Sequence, residues 1–236
     1  WQNRLFASGV IKAQEDYWLK LYGGGPIPRL QLPADNKRPE VFTFAGDSYK
    51  FMLAGENALK FRELGARHGA TLYMNILAAL NTLFYKYSGQ TDIIIGTGAA
   101  GRRHADLQGI IGMFINTLAM RNYPVADKTY ELFLKEVAGR SVEAFENQDV
   151  QFEDLVDKLD LERDPSRNPL FDVTMVVQNF MKAGEDIQTT QEKDHPVPAK
   201  FDMTFFVEEA GEGISIGIEY YSAIFKPDTI QRLASH

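Results

Sequence analysis

Residues 71–87 restrict the fold more than any other stretch, because they predict a long helix that is apolar over most of its surface. The apolar side chains recur at helical spacing: Leu72, Ile76, Leu77, Ala79, Leu80, Leu83 and Phe84. Thr71 is a suitable N-cap and Gly89 a suitable stop. A helix this apolar is mostly buried. The β-branched run at residues 92–96 follows it and is typical of a strand covered on both faces.

The rest of the chain predicts further helices and strands. Helices are expected within residues 1–21, 56–68, 130–148 and 152–159, and from Pro227. Strands are expected at residues 110–121, 171–180, 201–208 and 214–221, the last two as a hairpin, and as two short strands within residues 41–54 around Gly46. Prolines at 26, 28, 33 and 39 predict an extended connecting arm over residues 26–39. Residues 182–200 are polar and predict a mobile loop that carries His195.

Composition excludes several classes of function. The chain has 236 residues, room for one large domain or two small ones, and a net charge of -7 that argues against a general nucleic-acid binder. It has no cysteine, which excludes disulfides, cysteine-ligated zinc and thiol catalysis and fits a cytoplasmic protein. No apolar run is long enough for a transmembrane helix, and the start lacks a signal-peptide pattern. Because the sequence begins at Trp1, a fragment is expected.

Two small polar residues, Asn116 and Thr117, lie inside the otherwise apolar segment 110–121. A buried polar group costs free energy unless it finds a hydrogen-bond partner. The fold therefore either satisfies these side chains internally or places them at a cavity where a substrate satisfies them. The pattern alone favours internal satisfaction.

Residues 110–121 resemble a core motif of the condensation domains of nonribosomal peptide synthetases, Ile-Gly-x-Phe-x-Asn-Thr-Leu-x-x-Arg. Further segments resemble the same family in the right order: residues 32–39 (Leu-Pro-x-Asp-x-x-Arg-Pro), 147–156 (His-Gln-Asp-x-Pro-Phe-Glu-x-Leu-Val in the family) and 163–171 (Arg-Asp-x-Ser-x-x-Pro-Leu-Phe). Asn147 and Gln151 depart from the family's usual His and Pro, at positions where no chemistry is expected.

The resemblance implies an α/β fold, a mixed sheet with flanking helices, as in one half of a chloramphenicol acetyltransferase-like domain. In such domains two similar halves meet along a tunnel. Carrier proteins deliver thioester-linked substrates from both ends on phosphopantetheine arms, and the acceptor amine attacks the donor thioester to form an amide. This chemistry serves antibiotic and other secondary-metabolite biosynthesis.

The family's catalytic motif, His-His-x-x-x-Asp-Gly, lies in the first half of the domain. This chain has four histidines and no adjacent pair. The resemblance therefore covers the second half, with residues 1–40 as a helix and proline-rich linker from the first half and residues 41–236 as the C-terminal subdomain. The fragment alone is expected to be inactive, with no catalytic residue, metal ligand or directly bound cofactor.

The second half supplies one tunnel wall, and the resemblance implies that Gly112, Phe114, Asn116 and Thr117 face the substrate or its phosphopantetheine arm. Asn116→Ala in a complete domain is then expected to lower the condensation rate without unfolding the protein. Residues 101–104 match a Gly-Arg-x-His segment of the family. Arg102, Arg103 and His104 form either a contact for a carrier protein or, as the pattern favours, a loop whose arginines pair with nearby carboxylates.

The expected partners are the N-terminal half of the domain, donor and acceptor peptidyl carrier proteins and an adjacent adenylation domain, with no nucleic acid or membrane. The alternative is a non-catalytic module of the same fold that binds carriers or recruits a partner enzyme. A stand-alone acyltransferase and an epimerisation domain fit the motifs less well. Ser166 lacks the context of a nucleophile and is interpreted as a turn hydroxyl.

Overall fold

The computed structural model of the protein describes residues 9–102, 104–178 and 197–236. In these residues the helices are α1 (Gly9–Tyr22), α2 (Gly55–Arg67), α3 (Leu72–Ser88), α4 (Tyr130–Glu146), α5 (Phe152–Lys158) and α6 (Pro227–Ser235). The strands are β1 (Gly46–Leu53), β2 (Ile93–Ala99), β3 (Asn116–Asn122), β4 (Val173–Gln178), β5 (Met203–Ala210) and β6 (Gly213–Tyr221).

The strands form one mixed sheet in the order β1-β6-β5-β4-β2-β3. Strand β4 runs parallel to β2 and β5, and the other neighbours pair antiparallel. This arrangement confirms the predicted α/β class with a mixed sheet and flanking helices. It also places β2, whose first five residues are buried, between β3 and β4.

Helix α3 forms as its sequence predicts. The Thr71 hydroxyl accepts a hydrogen bond from the Met74 amide at 3.3 Å, and Gly89 ends the helix in the left-handed conformation at φ 71°. Leu77 and Phe84 are fully buried on its apolar face. The hairpin of β5 and β6 and the helices α1, α2, α4, α5 and α6 are likewise confirmed, to within a few residues at their ends.

The predicted pair of strands within residues 41–54 is wrong. One strand, β1, begins at Gly46 and pairs antiparallel with β6, so that its partner lies far along the chain and not in the preceding residues. Residues 41–45 are instead held by isolated backbone hydrogen bonds and by side chains. The Phe42 ring stacks on Tyr221 at 4.2 Å, and the Tyr221 hydroxyl accepts a hydrogen bond from the Thr43 amide. Phe44 has a φ of 59°, which is incompatible with a strand.

The predicted strand at residues 110–121 is half wrong. Strand β3 begins only at Asn116, and residues 110–115 belong to the loop that joins β2 to β3. Strand β4 ends at Gln178, and the predicted continuation to Phe180 lies outside the described residues. The predicted loop with His195 falls largely within residues 179–196, which are also outside them.

The N-terminal segment packs on the rest of the described chain. The Trp18 indole donates to the carbonyl of Asn147 at 2.8 Å, and the Tyr22 hydroxyl donates to the carbonyl of Ala119 at 2.7 Å. After α1 the proline-rich residues 26–39 form neither helix nor strand, as predicted. Among the described residues, no helix has the length and apolarity that crossing a bilayer requires.

Candidate functional site

The candidate site lies where β2 ends and β3 begins. Consecutive strand residues face opposite sides of a sheet, so Asn116 and Thr117 point in opposite directions. Asn116 is 5% exposed and faces the segment that joins α4 to α5. Thr117 is partly buried on the other face, directly opposite Gly98 of β2.

The Asn116 side chain is satisfied by backbone groups. Its Nδ2 donates to the carbonyls of Gln148 at 2.8 Å and Val150 at 2.7 Å. Its Oδ1 accepts from the amides of Thr117 at 2.8 Å and Phe152 at 3.2 Å. These four bonds confirm internal satisfaction for Asn116. Asn116→Ala would leave these buried backbone groups unpaired, so we expect the variant to cost stability as well as condensation rate.

Thr117 and Gly98 lie side by side on the opposite face of the sheet, where Gly98 contributes no side chain. Gly98 is exposed, and a side-chain carbon added to it would contact only Ile115, at 3.8 Å. Thr117 therefore lies beside a strand position that carries no side chain. A hydroxyl can both donate and accept a hydrogen bond, which suits it to hold an amide of a substrate arm.

The loop between β2 and β3 is organised by Arg102. The Arg102 guanidinium donates to the carbonyls of Leu107, Ile110 and Gly112, the last two at 2.8 Å. It also lies 4.3 Å from the centre of the Phe114 ring, at cation–π distance. These partners differ from the carboxylates predicted for the loop arginines. The carbonyls of Leu107, Ile110 and Gly112 thus accept hydrogen bonds from a side chain inside the loop, and β3 begins only at Asn116.

Gly101 makes this arrangement possible. It has a φ of 65°, and a Cβ on it would lie 1.9 Å from the carbonyl oxygen of Phe114. No other residue type fits at that distance. The sequence showed a Gly-Arg pair but gave no sign that Gly101 and Phe114 meet, because twelve residues lie between them.

The remaining members of the predicted basic spot are placed differently. His104 lies at the start of a short 3₁₀ turn (Ala105–Leu107), and its Nδ1 accepts a hydrogen bond from the Asp106 amide at 3.3 Å. Arg103 lies outside the described residues. Arg102 is bonded to the loop backbone.

A cluster of buried ion pairs, which the sequence analysis missed, lies under the N-terminal ends of β4 and β5. Arg38, in the proline-rich arm, forms a bidentate ion pair with the Asp202 carboxylate. It also donates a hydrogen bond to the Ser166 carbonyl at 3.1 Å. Arg167 pairs with the buried Asp172. Burial raises the pKa of the Asp202 carboxyl above its ordinary value despite the contact with Arg38.

The segment around Ser166 is a turn, as interpreted from its sequence. The Ser166 hydroxyl and amide both contact Asp164 Oδ1, at 2.7 Å and 2.8 Å. These hydrogen bonds hold the pKa of the Asp164 carboxyl below its ordinary value. The hydroxyl is therefore engaged as a structural donor to the Asp164 carboxylate within the turn.

The chain matches the family description "Condensation domain" over residues 1–236. It is 45% identical to a segment of bacitracin synthase 3 of Bacillus licheniformis and 42% identical to a segment of tyrocidine synthase 3 of Brevibacillus parabrevis. Each match covers 100% of this chain and 4% of the relative, so the chain spans a small part of the length of these proteins.

Solved structures show the same fold. The X-domain from teicoplanin biosynthesis superposes with a TM-score of 0.86 at 25% identity, covering 100% of this chain and 56% of that one. A four-domain nonribosomal peptide synthetase bound to AMP and glycine superposes with a TM-score of 0.84 at 22% identity, over 94% of this chain and 18% of that one.

Proposed function

The chain belongs to the condensation-domain family of nonribosomal peptide synthetases, and on that premise we propose that it is the C-terminal subdomain, which forms one wall of the tunnel where an amide bond is made. The acceptor is an aminoacyl-thioester and the donor an acyl- or peptidyl-thioester. The family match over residues 1–236 carries the proposal. The fragment alone is inactive in this proposal.

Two observations support the assignment to one half of a domain. The sequence contains His68, His104, His195 and His236, none of them adjacent, and so lacks His-His-x-x-x-Asp-Gly. The chain also matches only 56% of the teicoplanin X-domain chain, over its own full length. In this proposal residues 1–40 connect the two halves and residues 41–236 form the subdomain.

In the proposed reaction the acceptor nitrogen forms a bond to the donor thioester carbonyl carbon. The carbon–sulfur bond breaks, its electrons leave with the sulfur, and the amine proton is lost to a base outside this chain. Residues of this chain hold the reactants at the distance and angle of attack, which raises their effective concentration. No cofactor binds directly; phosphopantetheine arms come with the carrier proteins.

Gly112, Phe114, Asn116 and Thr117 have different parts in this wall. Thr117, beside Gly98, offers its hydroxyl to a phosphopantetheine amide. Asn116 acts indirectly, since its side chain is bonded to the backbone and fixes the start of β3. Gly112 and Phe114 shape the loop that borders the wall, through their contacts with Arg102.

The partners follow from the same proposal. They are the N-terminal half of the domain, the donor and acceptor peptidyl carrier proteins, and the adjacent adenylation domain. Arg102, Arg103 and His104 are the proposed contact for the acidic surface or phosphate of a carrier.

The test uses Thr117→Val in the complete synthetase, because the change removes the hydroxyl and keeps the shape. We expect amide formation between loaded carriers to slow about five- to tenfold, the effect of about one lost hydrogen bond. Product is measured by mass spectrometry, and carrier loading should be unaffected. Thr91→Val is the control, because Thr91 is exposed before β2. Equal rates for both variants would contradict the proposed role of Thr117.

A second candidate is a non-catalytic module of the same fold. It is favoured by the superposition, at a TM-score of 0.85, on the X-domain found in complex with OxyB. Mass-spectrometric mapping of the native polypeptide before Trp1 distinguishes the two. An intact His-His-x-x-x-Asp-Gly there supports the amide-forming domain, and a broken or missing motif supports the binding module.

A further inference from the structure

The turn that joins α4 to α5, residues 147–151, is a meeting point of separate elements. From β3, the Asn116 side chain donates hydrogen bonds to two carbonyls of the turn. From α1, the Trp18 indole donates a hydrogen bond to a third carbonyl, that of Asn147, at 2.8 Å. The turn therefore connects helix α1 to the strand that carries Thr117.

Gln14 of α1 forms a reciprocal contact with Asp149 at the centre of this turn. The Gln14 Nε2 donates to the Asp149 carboxylate at 2.9 Å, and the Gln14 Oε1 accepts a hydrogen bond from the Asp149 amide, also at 2.9 Å. Gln14 is only 5% exposed, so little water competes for these bonds and each is stronger than it would be at the surface. Two bonds to one residue fix both the position and the orientation of the turn.

Helix α1 is bonded to β3 as well as to the turn. Strand β3 is the last strand in the described part of the sheet, so its outer edge has no strand partner there. The Tyr22 hydroxyl donates to the Ala119 carbonyl of β3 at 2.7 Å, and Arg121 of β3 donates to the Leu21 carbonyl of α1 at 2.7 Å. The last turn of α1 therefore holds the strand, while Gln14 holds the turn to which the start of that strand is bonded.

We infer that Gln14 is a positioning residue for amide formation, which acts on Thr117 through the turn and Asn116. This inference rests on the proposed function, in which the Thr117 hydroxyl holds a phosphopantetheine amide. Gln14 fixes Asp149, the turn presents its carbonyls to Asn116, and Asn116 fixes the start of β3. A small displacement of a group that holds a reactant is enough to slow the reaction.

The test is a double-mutant cycle in the complete synthetase, with Gln14→Met and Thr117→Val made singly and together. Methionine keeps the length of the side chain and removes both hydrogen bonds. The control is Gln90→Met, because Gln90 makes a matched reciprocal contact elsewhere. It accepts a hydrogen bond from the Gln31 amide at 2.6 Å and donates one to the Arg29 carbonyl at 2.9 Å. Amide formation between loaded carriers is followed by mass spectrometry.

We expect Gln14→Met to lower kcat about three- to fivefold, because a misplaced Thr117 hydroxyl slows the chemical step. KM for the loaded acceptor carrier should stay unchanged, since the change leaves carrier docking as it was. In the Thr117→Val background the same substitution should lower kcat by less than about 1.5-fold, because the hydroxyl that Gln14 positions is already gone. Gln90→Met should lower kcat by less than about 1.5-fold in both backgrounds.

Hydrogen exchange gives a second readout, which does not depend on catalysis. Peptides that cover residues 116–122 and 147–152 should exchange faster in Gln14→Met than in the parent, and Gln90→Met should leave them unchanged. If Gln14→Met does not fold, an exchanged pair replaces it. Gln14→Glu should slow amide formation, because its carboxylate repels that of Asp149, and adding Asp149→Asn should restore the rate, because donor and acceptor then trade places.

An unchanged kcat in Gln14→Met, or the same loss of kcat with and without Thr117→Val, would overturn the inference. So would unchanged exchange in residues 116–122, or an Asp149→Asn substitution that does not rescue Gln14→Glu. The proposed function fails separately, if the parent synthetase forms no amide or Thr117→Val leaves the rate unchanged although exchange in residues 116–122 responds to Gln14→Met.

Discussion

Asn116 illustrates how a single side chain can decide the local geometry of a site. Its side-chain Nδ2 donates hydrogen bonds to the carbonyls of Gln148 and Val150. Its side-chain Oδ1 accepts hydrogen bonds from the backbone amides of Thr117 and Phe152. The turn between α4 and α5 is thereby fixed to the first residue of β3. Thr117 is then directed to the opposite face, where the proposed tunnel lies.

At this scale we expect Asn116→Ala to lower the free energy of unfolding of the complete domain by about 2–4 kcal/mol, because buried backbone donors and acceptors lose their partners. Urea unfolding followed by circular dichroism measures the change. Asn57→Ala is the control, since Asn57 is exposed on α2, and should change stability by less than about 0.5 kcal/mol. Equal stability of the two variants would show that the four bonds contribute nothing.

At the scale of elements, the sequence predicted correctly those helices and strands whose formation depends mainly on residues close to them in the chain. Helix α3 carries its own cap, its own stop and its own apolar face, so its pattern was sufficient. Strand β1 and residues 110–115 were mispredicted because contacts outside the local pattern decide them: β6 pairs with β1, and Arg102 bonds the carbonyls of Ile110 and Gly112 within the loop. The sequence marked Asn116 as a polar residue that needs hydrogen-bond partners, but the partners beyond its own neighbour lie 32–36 residues later and leave no local pattern.

The proline-rich arm is held to the sheet by a buried ion pair, and we expect Arg38→Ala to cost about 2–4 kcal/mol at neutral pH. The variant leaves the buried Asp202 carboxylate without its partner, so the pKa of Asp202 rises further. A raised carboxyl pKa in the folded state means that stability is lost as pH rises through that pKa. The difference in the free energy of unfolding between Arg38→Ala and the parent domain should therefore become smaller at acidic pH, where Asp202 is protonated in both proteins.

Thermal unfolding of the complete domain between pH 4 and pH 8 measures this difference. Arg163→Ala is the matched control, since Arg163 is exposed and lies 3.7 Å from Asp157 in a surface ion pair. Surface pairs contribute little, so this variant should stay close to the parent at every pH. If the loss of stability in Arg38→Ala were the same at every pH, an unpaired Asp202 carboxylate could not be its cause.

At the scale of the whole molecule, the sheet and its helices bury a continuous core. Four large apolar side chains of the loop between β2 and β3 stay outside this core and form an apolar tip: Ile110, Ile111, Met113 and Ile115. An exposed apolar surface of this kind favours association with another apolar surface, including that of a second copy of the same chain. We expect the isolated 236-residue chain to self-associate with rising concentration, and Met113→Asp to weaken this association. Sedimentation velocity measures the distribution of species.

Leu132→Asp serves as the control, because an acid in the first turn of α4 suits the helix dipole and should leave the association unchanged. A parent chain that stays monomeric at high concentration would contradict the prediction. An equal effect of both substitutions would assign the association to net charge and not to the tip.

The proline-rich arm also has a consequence for the order in which the protein acquires its structure during synthesis. Asp35 bonds Thr229 across 194 residues of chain, and Arg38 bonds Asp202 across 164. A ribosome adds about 5–20 residues per second, so the arm emerges about 10–40 s before Thr229 exists to receive it. During that interval its prolines cannot donate to a stray β ladder. The proline-rich arm can therefore stay unpaired until its partners have been synthesised. It packs on the sheet only after Asp202 and Thr229 are present.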